Sequence, residues 1–251
     1  MKILVIGGTG NLGSKVVKQL RTLNHEAVAG SPSTGVDAYT GEGLAEAMQG
    51  TDVVIDLSNS AVYDEQSSVD FFEKIGNNLI AAEIEAGIKH HVSISIVGSD
   101  RMPNLGYLKG KLIQEQIVKN SGLPYTIIRS TQFFEFVPFV ITAATQGNEV
   151  FAPAVDFQPI AVEDAARLVV EYALGQPLYG TVEIAGPERK SKSEFIQNYI
   201  SNTDPSKKVI PTGKNEYFGA EVPKDGLVPL GEAQLGNTRF SDWLRSQALP
   251  A

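Results

Sequence analysis

A tyrosine and a lysine stand four residues apart, as Tyr107 and Lys111, in a segment with the apolar pattern of a helix. Four residues make about one helical turn, so both side chains share one face of that helix. A tyrosine hydroxyl has an ordinary pKa of about 10, and a nearby ammonium lowers it because the ammonium favours the phenolate. The pair therefore has the chemistry of a proton donor and of the cation that tunes it.

A serine that can hold a substrate oxygen precedes this pair. Ser95 lies near the carboxyl end of the segment 91–97, where apolar and polar residues alternate as in a strand. From there its hydroxyl can hold a carbonyl oxygen beside Tyr107. Ser93 and Ser99 are close rivals, and an inward-pointing serine often bonds only the backbone. A solvated helix face with a tyrosine in its first turn is the alternative for the whole pattern.

The amino-terminal segment provides an element that can bind a cofactor for such chemistry. Lys2–Ile6 predicts a short buried strand, and an amphipathic helix follows a glycine-rich turn. The turn consists of Gly7, Gly8, Thr9, Gly10, Asn11, Leu12 and Gly13. Its spacing gives glycine where a tight turn, a close pyrophosphate and close helix–strand packing require it. The amides and dipole of a helix N-terminus attract an anion, so the segment predicts a dinucleotide-binding loop.

The second predicted strand, residues 25–29, ends in a polar turn that decides the cofactor. In a dinucleotide fold a carboxylate at this point accepts hydrogen bonds from the ribose of NAD, whereas an arginine receives the additional phosphate of NADP. The turn has neither. Ser31, Ser33 and Thr34 can cradle a phosphate with hydroxyls and amides, which favours NADP over NAD. A polar turn without any cofactor contact is equally compatible with these residues.

Strands alternate with helices through the first half of the chain, which predicts an α/β protein with a Rossmann-type, doubly wound parallel sheet. The strand at residues 51–57 ends in Ser58 and Asn59, which we expect at the carboxyl edge of the sheet, where ligands bind. We assign residues 1–150 to a dinucleotide-binding core. Residues 151–251 form a smaller substrate lobe that caps the same core.

Composition narrows the classes of partner. The 29 acidic and 21 basic residues give a formal net charge of −8, which argues against nucleic acid. There is no cysteine, and no apolar run or signal peptide indicates a membrane, so we expect a cytoplasmic protein with a small-molecule substrate. His90 and His91 are adjacent on a predicted strand and point to opposite faces, so we predict no metal site. The sequence does not define the oligomeric state.

The glycine-rich turn at the extreme N-terminus resembles that of the short-chain dehydrogenase/reductase superfamily. Residues 123–129 (LPYTIIR), the following 132–135 (QFFE) and the later Gly186-Pro187-Glu188 resemble its atypical, NmrA-like branch. The resemblance implies that Tyr107 donates a proton, that Lys111 also holds the nicotinamide ribose, and that Ser95 orients the substrate. Many NmrA-like proteins lack the tyrosine, and the usual basic residue after the second strand is absent here.

Together, these elements allow a prediction of the protein's function. We predict an NAD(P)-dependent oxidoreductase that transfers hydride between nicotinamide and a small carbonyl or quinone-like substrate. Phe133 and Phe134 offer an apolar wall for that substrate, although core packing explains them as well. Two alternatives are an NmrA-like protein that senses NAD(P) without turnover and a nucleotide-sugar epimerase. Retention of both Tyr107 and Lys111 favours the enzyme over the sensor.

Overall fold

The computed structural model describes residues 1–102 and 105–248, so the predicted loop through Pro103 and Asn104 lies outside the described residues. The helices are α1 (Asn11–Thr22), α2 (Leu44–Met48), α3 (Glu65–Ala86), α4 (Gly106–Asn120), α5 (Val137–Ala144), α6 (Val162–Leu174), α7 (Lys192–Thr203) and α8 (Phe240–Ala248). The first seven strands are β1 (Lys2–Ile6), β2 (Glu26–Gly30), β3 (Val53–Asp56), β4 (His90–Ile96), β5 (Tyr125–Ser130), β6 (Thr145–Gln146) and β7 (Glu149–Ala152). The other strands are β8 (Asp156–Phe157), β9 (Gly180–Ala185), β10 (Lys190–Ser191), β11 (Lys208–Pro211), β12 (Glu216–Tyr217), β13 (Ala220–Glu221) and β14 (Gln234–Leu235).

A parallel sheet of seven strands has the order β14-β9-β5-β4-β3-β1-β2. The register pairs Leu4 of β1 with Val28 of β2 on one side and with Val54 of β3 on the other. Helices flank the sheet, so its strands are buried on both faces and carry nearly continuous apolar residues. The predicted Rossmann-type fold is confirmed.

The main differences from the predicted elements lie at helix ends and in the tail. The apolar residues Leu23 and Ile84 are 52% and 56% exposed. Leu23 lies just beyond the last residue of α1, and Ile84 lies in the last turn of α3, where the buried stripe ends. The tail contains α8, a helix that we did not predict from the sequence.

The chain divides into two compact units that are interleaved in sequence. The first contains Met1–Arg129 and Ala165–Val182, and the second contains Ser130–Asp164 and the described residues from Glu183 onward. This division replaces the single boundary that we placed at residue 150. The chain leaves the first unit at the end of β5 and returns to it with α6, and neither crossing has the glycine- or proline-rich composition of a linker.

The core of the first unit contains aliphatic side chains from β1, β3 and α3, among them Leu4, Val54 and Leu79, which are fully buried. The second unit has an aromatic core, in which Phe134, Phe240 and Trp243 have ring centroids 5.0 to 5.6 Å apart. Across residues 1–102 and 105–248, no helix combines the length and the apolarity that crossing a membrane requires.

Candidate cofactor and catalytic site

The glycine-rich turn connects β1 to α1 and needs glycine for two separate reasons. Gly7 has a φ of +72°, and a Cβ atom on it would lie 2.7 Å from the backbone oxygen of Leu57. Gly13 lies inside the first turn of α1, and its Cβ atom would lie 2.1 Å from the backbone oxygen of Gly7. The turn can therefore approach β3 and fold back on α1 only with these glycines.

The N-terminus of α1 has the properties of an anion-binding site. Gly10 is the N-cap residue, no side chain in the described residues caps the helix, and its first turn carries no acidic residue. A Cβ atom on Gly10 would meet only the oxygen of Gly7, at 3.2 Å. The space beyond Gly10, flanked by the exposed Thr9 and Asn11, is thus open where a pyrophosphate would approach the helix amides. This cradle fits a dinucleotide.

The carboxyl end of β3 lies beside this turn, because Gly7 packs on the backbone of Leu57 and Ser58. Asp56 is buried, and its Oδ1 accepts a 2.9 Å hydrogen bond from the Ser58 amide. The Ser58 hydroxyl is buried and has no hydrogen-bond partner within the described parts of the chain. An unpaired buried hydroxyl next to a candidate pyrophosphate site is a group that a ligand can satisfy.

Tyr107 and Asn59, which we predicted independently as catalytic and cofactor-binding residues, are brought together. The Tyr107 hydroxyl donates a hydrogen bond to Asn59 Oδ1. The Tyr107 ring packs against Tyr63 and against the edge of Phe72, with centroids 5.3 and 5.6 Å away. A phenol on the first turn of α4 thus reaches the carboxyl edge of the sheet.

Lys111 lies one turn further along α4 and is only 2% exposed. Its ammonium donates to Gln114 Oε1, and the Gln114 amide in turn donates to Asp56 Oδ2. The ammonium also lies 4.5 Å from the centroid of the Phe72 ring. Burial lowers the pKa of Lys111 to about 8, although the charges of Asp56 and Glu115 oppose that shift. Lys111 is therefore one end of a buried chain of polar groups that leads back to β3.

Gln114 and Asp56 are two residues of this chain that sequence reasoning missed. Gln114 follows Lys111 by three residues, a spacing that places both on one side of α4. Asp56 is the last residue of a strand that is otherwise apolar. Both signals were visible in the sequence, but neither indicates by itself that the two side chains bond each other.

Ser95 lies in a different cluster from the one that we predicted. Its hydroxyl donates a 2.6 Å hydrogen bond to Glu115 Oε1, and Arg129 binds both oxygens of the same carboxylate at 2.8 Å. This carboxylate takes the Ser95 hydroxyl because a buried Glu needs several donors. By contrast, the hydroxyl of Ser99, one of the rivals of Ser95, is buried without a hydrogen-bond partner in the described residues.

The turn after β2 is largely bonded to itself. Pro32–Thr34 forms one short helical turn, and the Thr34 hydroxyl donates to the oxygens of Ala29 and Ser31 at 2.9 Å. The Ser31 and Ser33 hydroxyls are 2.9 Å apart and share a hydrogen bond. These internal bonds weaken the case for a phosphate cradle made of the three hydroxyls.

A cleft of about 580 Å³ lies beside the glycine-rich turn and contains basic side chains. Gly8 and Ala29 line it together with α1 residues that include Lys18 and Arg21. Lys18 is exposed, whereas the guanidinium of Arg21 donates to the backbone oxygen of Ala27. The cleft therefore places the exposed Lys18 on the same surface as Ala29, near the end of β2, whereas Arg21 is held at Ala27 near the start of that strand.

The structure shows what surrounds the two phenylalanines that we predicted to contact the substrate and the two adjacent histidines. Phe134 is 1% exposed within the core of the second unit, so its ring cannot line an open substrate pocket, whereas Phe133 is half-buried. His90 hydrogen-bonds Thr126 at 2.9 Å, and His91 contacts both oxygens of buried Glu83 at 2.9 Å. No group of His, Cys, Asp and Glu in the described residues is arranged to hold a metal ion.

The fold and the glycine-rich turn define a class of nucleotide-binding protein, and a family model assigns the chain to it. Residues 7–174 match the model described as NAD(P)H-binding. The chain belongs to this NAD(P)H-binding family, which agrees with the family resemblance seen in the sequence.

Individual relatives are more distant. The chain is 27% identical over 217 residues to the photosystem II assembly factor Ycf39 of Synechocystis sp., an alignment that covers 78% of this chain and 66% of that protein. It is 25% identical over 238 residues to the chloroplastic divinyl chlorophyllide a 8-vinyl-reductase of Cucumis sativus, covering 79% and 55% of the two chains. The chain spans about half to two thirds of the length of the curated relatives that it matches.

Solved structures share the fold at low sequence identity. A dTDP-4-dehydrorhamnose reductase from Clostridium acetobutylicum has a TM-score of 0.74 and 22% identity, with 99% of this chain and 92% of that chain covered. An NADPH-dependent quinone oxidoreductase from Escherichia coli, complexed with NADPH, has a TM-score of 0.68 and 21% identity, covering 84% and 78%. These likenesses extend the fold assignment to nearly the whole chain.

Proposed function

We propose that the protein is an NAD(P)H-dependent oxidoreductase that reduces a small carbonyl or quinone-like compound. The observation that carries the proposal is the open, uncapped N-terminus of α1 behind Gly10, within a family that binds NAD(P)H. When bound, the nicotinamide supplies the hydride. The remaining requirements are a group that holds the cofactor, a proton donor and a site for the substrate.

The chain has candidates for holding the cofactor and donating the proton. The helix amides of Asn11, Leu12 and Gly13 would hold the pyrophosphate, and the unpaired hydroxyl of Ser58 would add a hydrogen bond. Tyr107, whose hydroxyl lies at the carboxyl edge of the sheet, would donate the proton only if that hydroxyl exchanges its bond to Asn59 Oδ1 for one to the substrate oxygen. Lys111 would act on the ribose or on Tyr107 only if its ammonium exchanges its bond to Gln114 for one of these groups.

We propose NADPH as the preferred cofactor. The support comes from the cleft that contains Lys18 and Arg21, because the additional phosphate of NADPH needs positive charge near the end of β2. The internally bonded turn of Ser31, Ser33 and Thr34 contributes less than we predicted. Replacing Lys18 by alanine should lower the affinity for NADP and leave the affinity for NAD unchanged. Equal loss for both nucleotides would remove this argument.

A second candidate function is binding of NAD(P)H without turnover, as in a sensor or an assembly protein. Two of the three predicted catalytic side chains favour it, because Ser95 is bonded to Glu115 and Lys111 is bonded to Gln114 in the protein interior. The similarity to proteins named as photosystem II assembly factors is compatible with this candidate. The predicted cytoplasmic location is compatible with either candidate function.

One experiment separates the two candidates. Calorimetry with NADPH and NADH measures binding, and a screen of quinones and aldehydes measures oxidation of the bound nucleotide. The oxidoreductase predicts both binding and turnover. Binding without turnover of any acceptor would favour the sensor, and absence of binding by either nucleotide would contradict both.

A further inference from the structure

Lys192 is a buried lysine in the second unit, at the first position of α7. A capping box fixes this helix start, because the Glu194 amide donates to Ser191 and the Glu194 carboxylate accepts from the Ser191 amide at 2.9 Å. The Lys192 amide donates to the Val155 oxygen at 2.8 Å. The backbone is thus held on both sides, and the residue is only 5% exposed.

The ammonium of Lys192 has no carboxylate partner among the described residues. The acidic residues near it in the sequence are bonded elsewhere: Glu194 to Ser191, and Glu188 to Arg239 and the Phe240 amide. Burial lowers the pKa of Lys192 to about 8. Buried charges in proteins are normally paired, so an unpaired buried ammonium indicates a place for an anion from outside the chain.

The group that does contact the ammonium is an aromatic ring. The Lys192 Nζ lies 5.1 Å from the centroid of Tyr217, within the range of a cation–π contact. Tyr217 belongs to the short hairpin of β12 and β13, whose turn carries Phe218 at a φ of +49°. A phenylalanine rarely adopts this left-handed conformation, and such strain is often retained where it positions a functional side chain.

A run of aromatic rings continues from Tyr217 to the protein surface. Phe218 lies 4.6 Å from Tyr217 and 6.0 Å from Phe136, and Phe136 lies 5.1 Å from Phe139, all between ring centroids. Phe218 and Phe139 are 56% and 51% exposed. The four rings, which we call the aromatic run, therefore begin at a buried cation and end at exposed faces on which a flat molecule can stack.

We propose that Lys192 and the aromatic run bind a flat, apolar small molecule that carries one anionic group, such as a carboxylate or an ionised hydroxyquinone. The anion pairs with the Lys192 ammonium, and the flat part of the molecule packs on Phe218 and Phe136. This proposal names the substrate class of the oxidoreductase, and to that extent it rests on the proposed function. The binding site itself does not depend on turnover.

Two naphthoquinones test the site by calorimetry on the full chain with NADP present, since the oxidised nucleotide cannot reduce them during the titration. Lawsone, a hydroxyquinone, is an anion at neutral pH, and menadione is an uncharged analogue. We expect lawsone to bind the wild-type protein at least about tenfold more tightly than menadione, in line with a hydrogen bond to a charged group. Lys192→Met should abolish this preference, and Lys192→Arg should retain it.

Matched controls separate charge from folding. Lys190→Met removes the same charge from an exposed neighbour, whose side chain is 44% exposed, and should not affect lawsone binding. Phe218→Asn tolerates the left-handed backbone and should weaken both quinones alike. Thermal unfolding should show that Lys192→Met folds, because the substitution removes an unpaired buried charge.

The inference is overturned if lawsone binds the wild-type protein and Lys192→Met equally, or if it fails to bind the wild-type protein while NADPH binds. Loss of NADPH binding to the wild-type protein would instead count against the proposed function. If Lys192→Met does not fold, Phe218→Asn and Lys192→Arg test the site instead. Unchanged lawsone affinity in Phe218→Asn would then reject the site.

Discussion

Lys111 and Lys192 are buried almost completely, one in each unit, and the surroundings of their ammonium groups differ. Lys111 has the amide oxygen of Gln114 as partner, at the end of a polar chain that reaches Asp56. Among residues 1–102 and 105–248, Lys192 has the face of Tyr217 and no carboxylate as the partner of its ammonium. Burial lowers the pKa of each ammonium to about 8. The stability of the protein should therefore depend on pH in a range below that in which lysines usually titrate.

For Lys111 the sign of this dependence follows from the two pKa values. In the unfolded chain a lysine stays protonated up to a pKa of about 10.4, whereas folded Lys111 loses its proton at about 8. Between these values the unfolded state binds more protons, so the free energy of unfolding rises with pH. The wild-type protein should therefore gain about 2 kcal/mol over Lys111→Met between pH 7 and pH 10.

Urea unfolding at the two pH values measures this gain. Lys109→Met is the matched control, because Lys109 is on the same helix, is exposed and pairs with Glu65 on the surface. Its difference from the wild-type protein should stay nearly constant with pH. A Lys111→Met difference that is equally constant would show that Lys111 titrates like an exposed lysine.

Tyr107 allows a test of catalysis at one hydroxyl group. Tyr107→Phe keeps the ring against Phe72 and removes the group that donates to Asn59. If this hydroxyl donates the proton, turnover should fall by about a hundredfold or more while NADPH affinity stays the same. The measurement is steady-state oxidation of NADPH with the best quinone of the screen, and Tyr63→Phe is the control for the neighbouring ring. Undiminished turnover would exclude Tyr107 from the mechanism.

Some residues of the candidate site could be predicted from the sequence because they lie close to one predicted element. The glycines, Asn59 and Tyr107 lie at the ends of predicted elements, and their positions follow once strand, turn and helix are placed. The bond of Ser95 to Glu115 was not predicted, since Glu115 and Arg129 come from later elements that no periodicity connects to Ser95. Lys192 gave no signal, because a lysine at the start of a helix is ordinary until its burial is known.

At the scale of elements, the turn between β1 and α1 shows how packing and binding require glycine at different positions. A methyl group on Gly13 would meet the backbone oxygen of Gly7 at 2.1 Å, which the turn cannot relieve without moving. A methyl group on Gly10 would lie 3.2 Å from the same oxygen and otherwise point into open space, and its φ of −72° suits any residue. One position therefore serves the fold, and we propose that the other serves the nucleotide.

This difference predicts opposite results for two alanine variants. Gly13→Ala should lower the melting temperature by several degrees and weaken NADPH binding as a consequence. Gly10→Ala should leave the melting temperature of the free protein within about a degree of the wild type, because surface changes without clashes are nearly neutral, and should weaken NADPH binding. Differential scanning calorimetry and titration calorimetry measure the two properties. NADPH affinity unaffected by Gly10→Ala would place the nucleotide elsewhere.

The length and regularity of each helix and strand determine whether it could be predicted from the sequence. The helices α1 and α4 and the apolar strands β1 and β3 were assigned correctly, because burial on a sheet imposes a regular pattern. The return of α6 and of the first half of β9 to the first unit was missed, since the pattern of a helix does not say which sheet it covers. In the tail, strands of two residues such as β12 and β13 are too short to show any periodicity.

For the whole molecule, each of the two units carries one of the two proposed ligand sites. NADPH should slow hydrogen exchange at the amides of residues 11–13 in the first unit, which lack backbone partners until an anion binds. Lawsone should slow exchange in the hairpin 216–221 of the second unit, next to Lys192. Lys192→Met should abolish the second effect and leave the first intact, because the variant alters only the lawsone site. Hydrogen exchange followed by mass spectrometry resolves both segments in one experiment. Protection of the glycine-rich turn by lawsone without NADPH, and no protection of the hairpin, would mean that the anion occupies the nucleotide site, and Lys192 would then have no ligand to explain its burial.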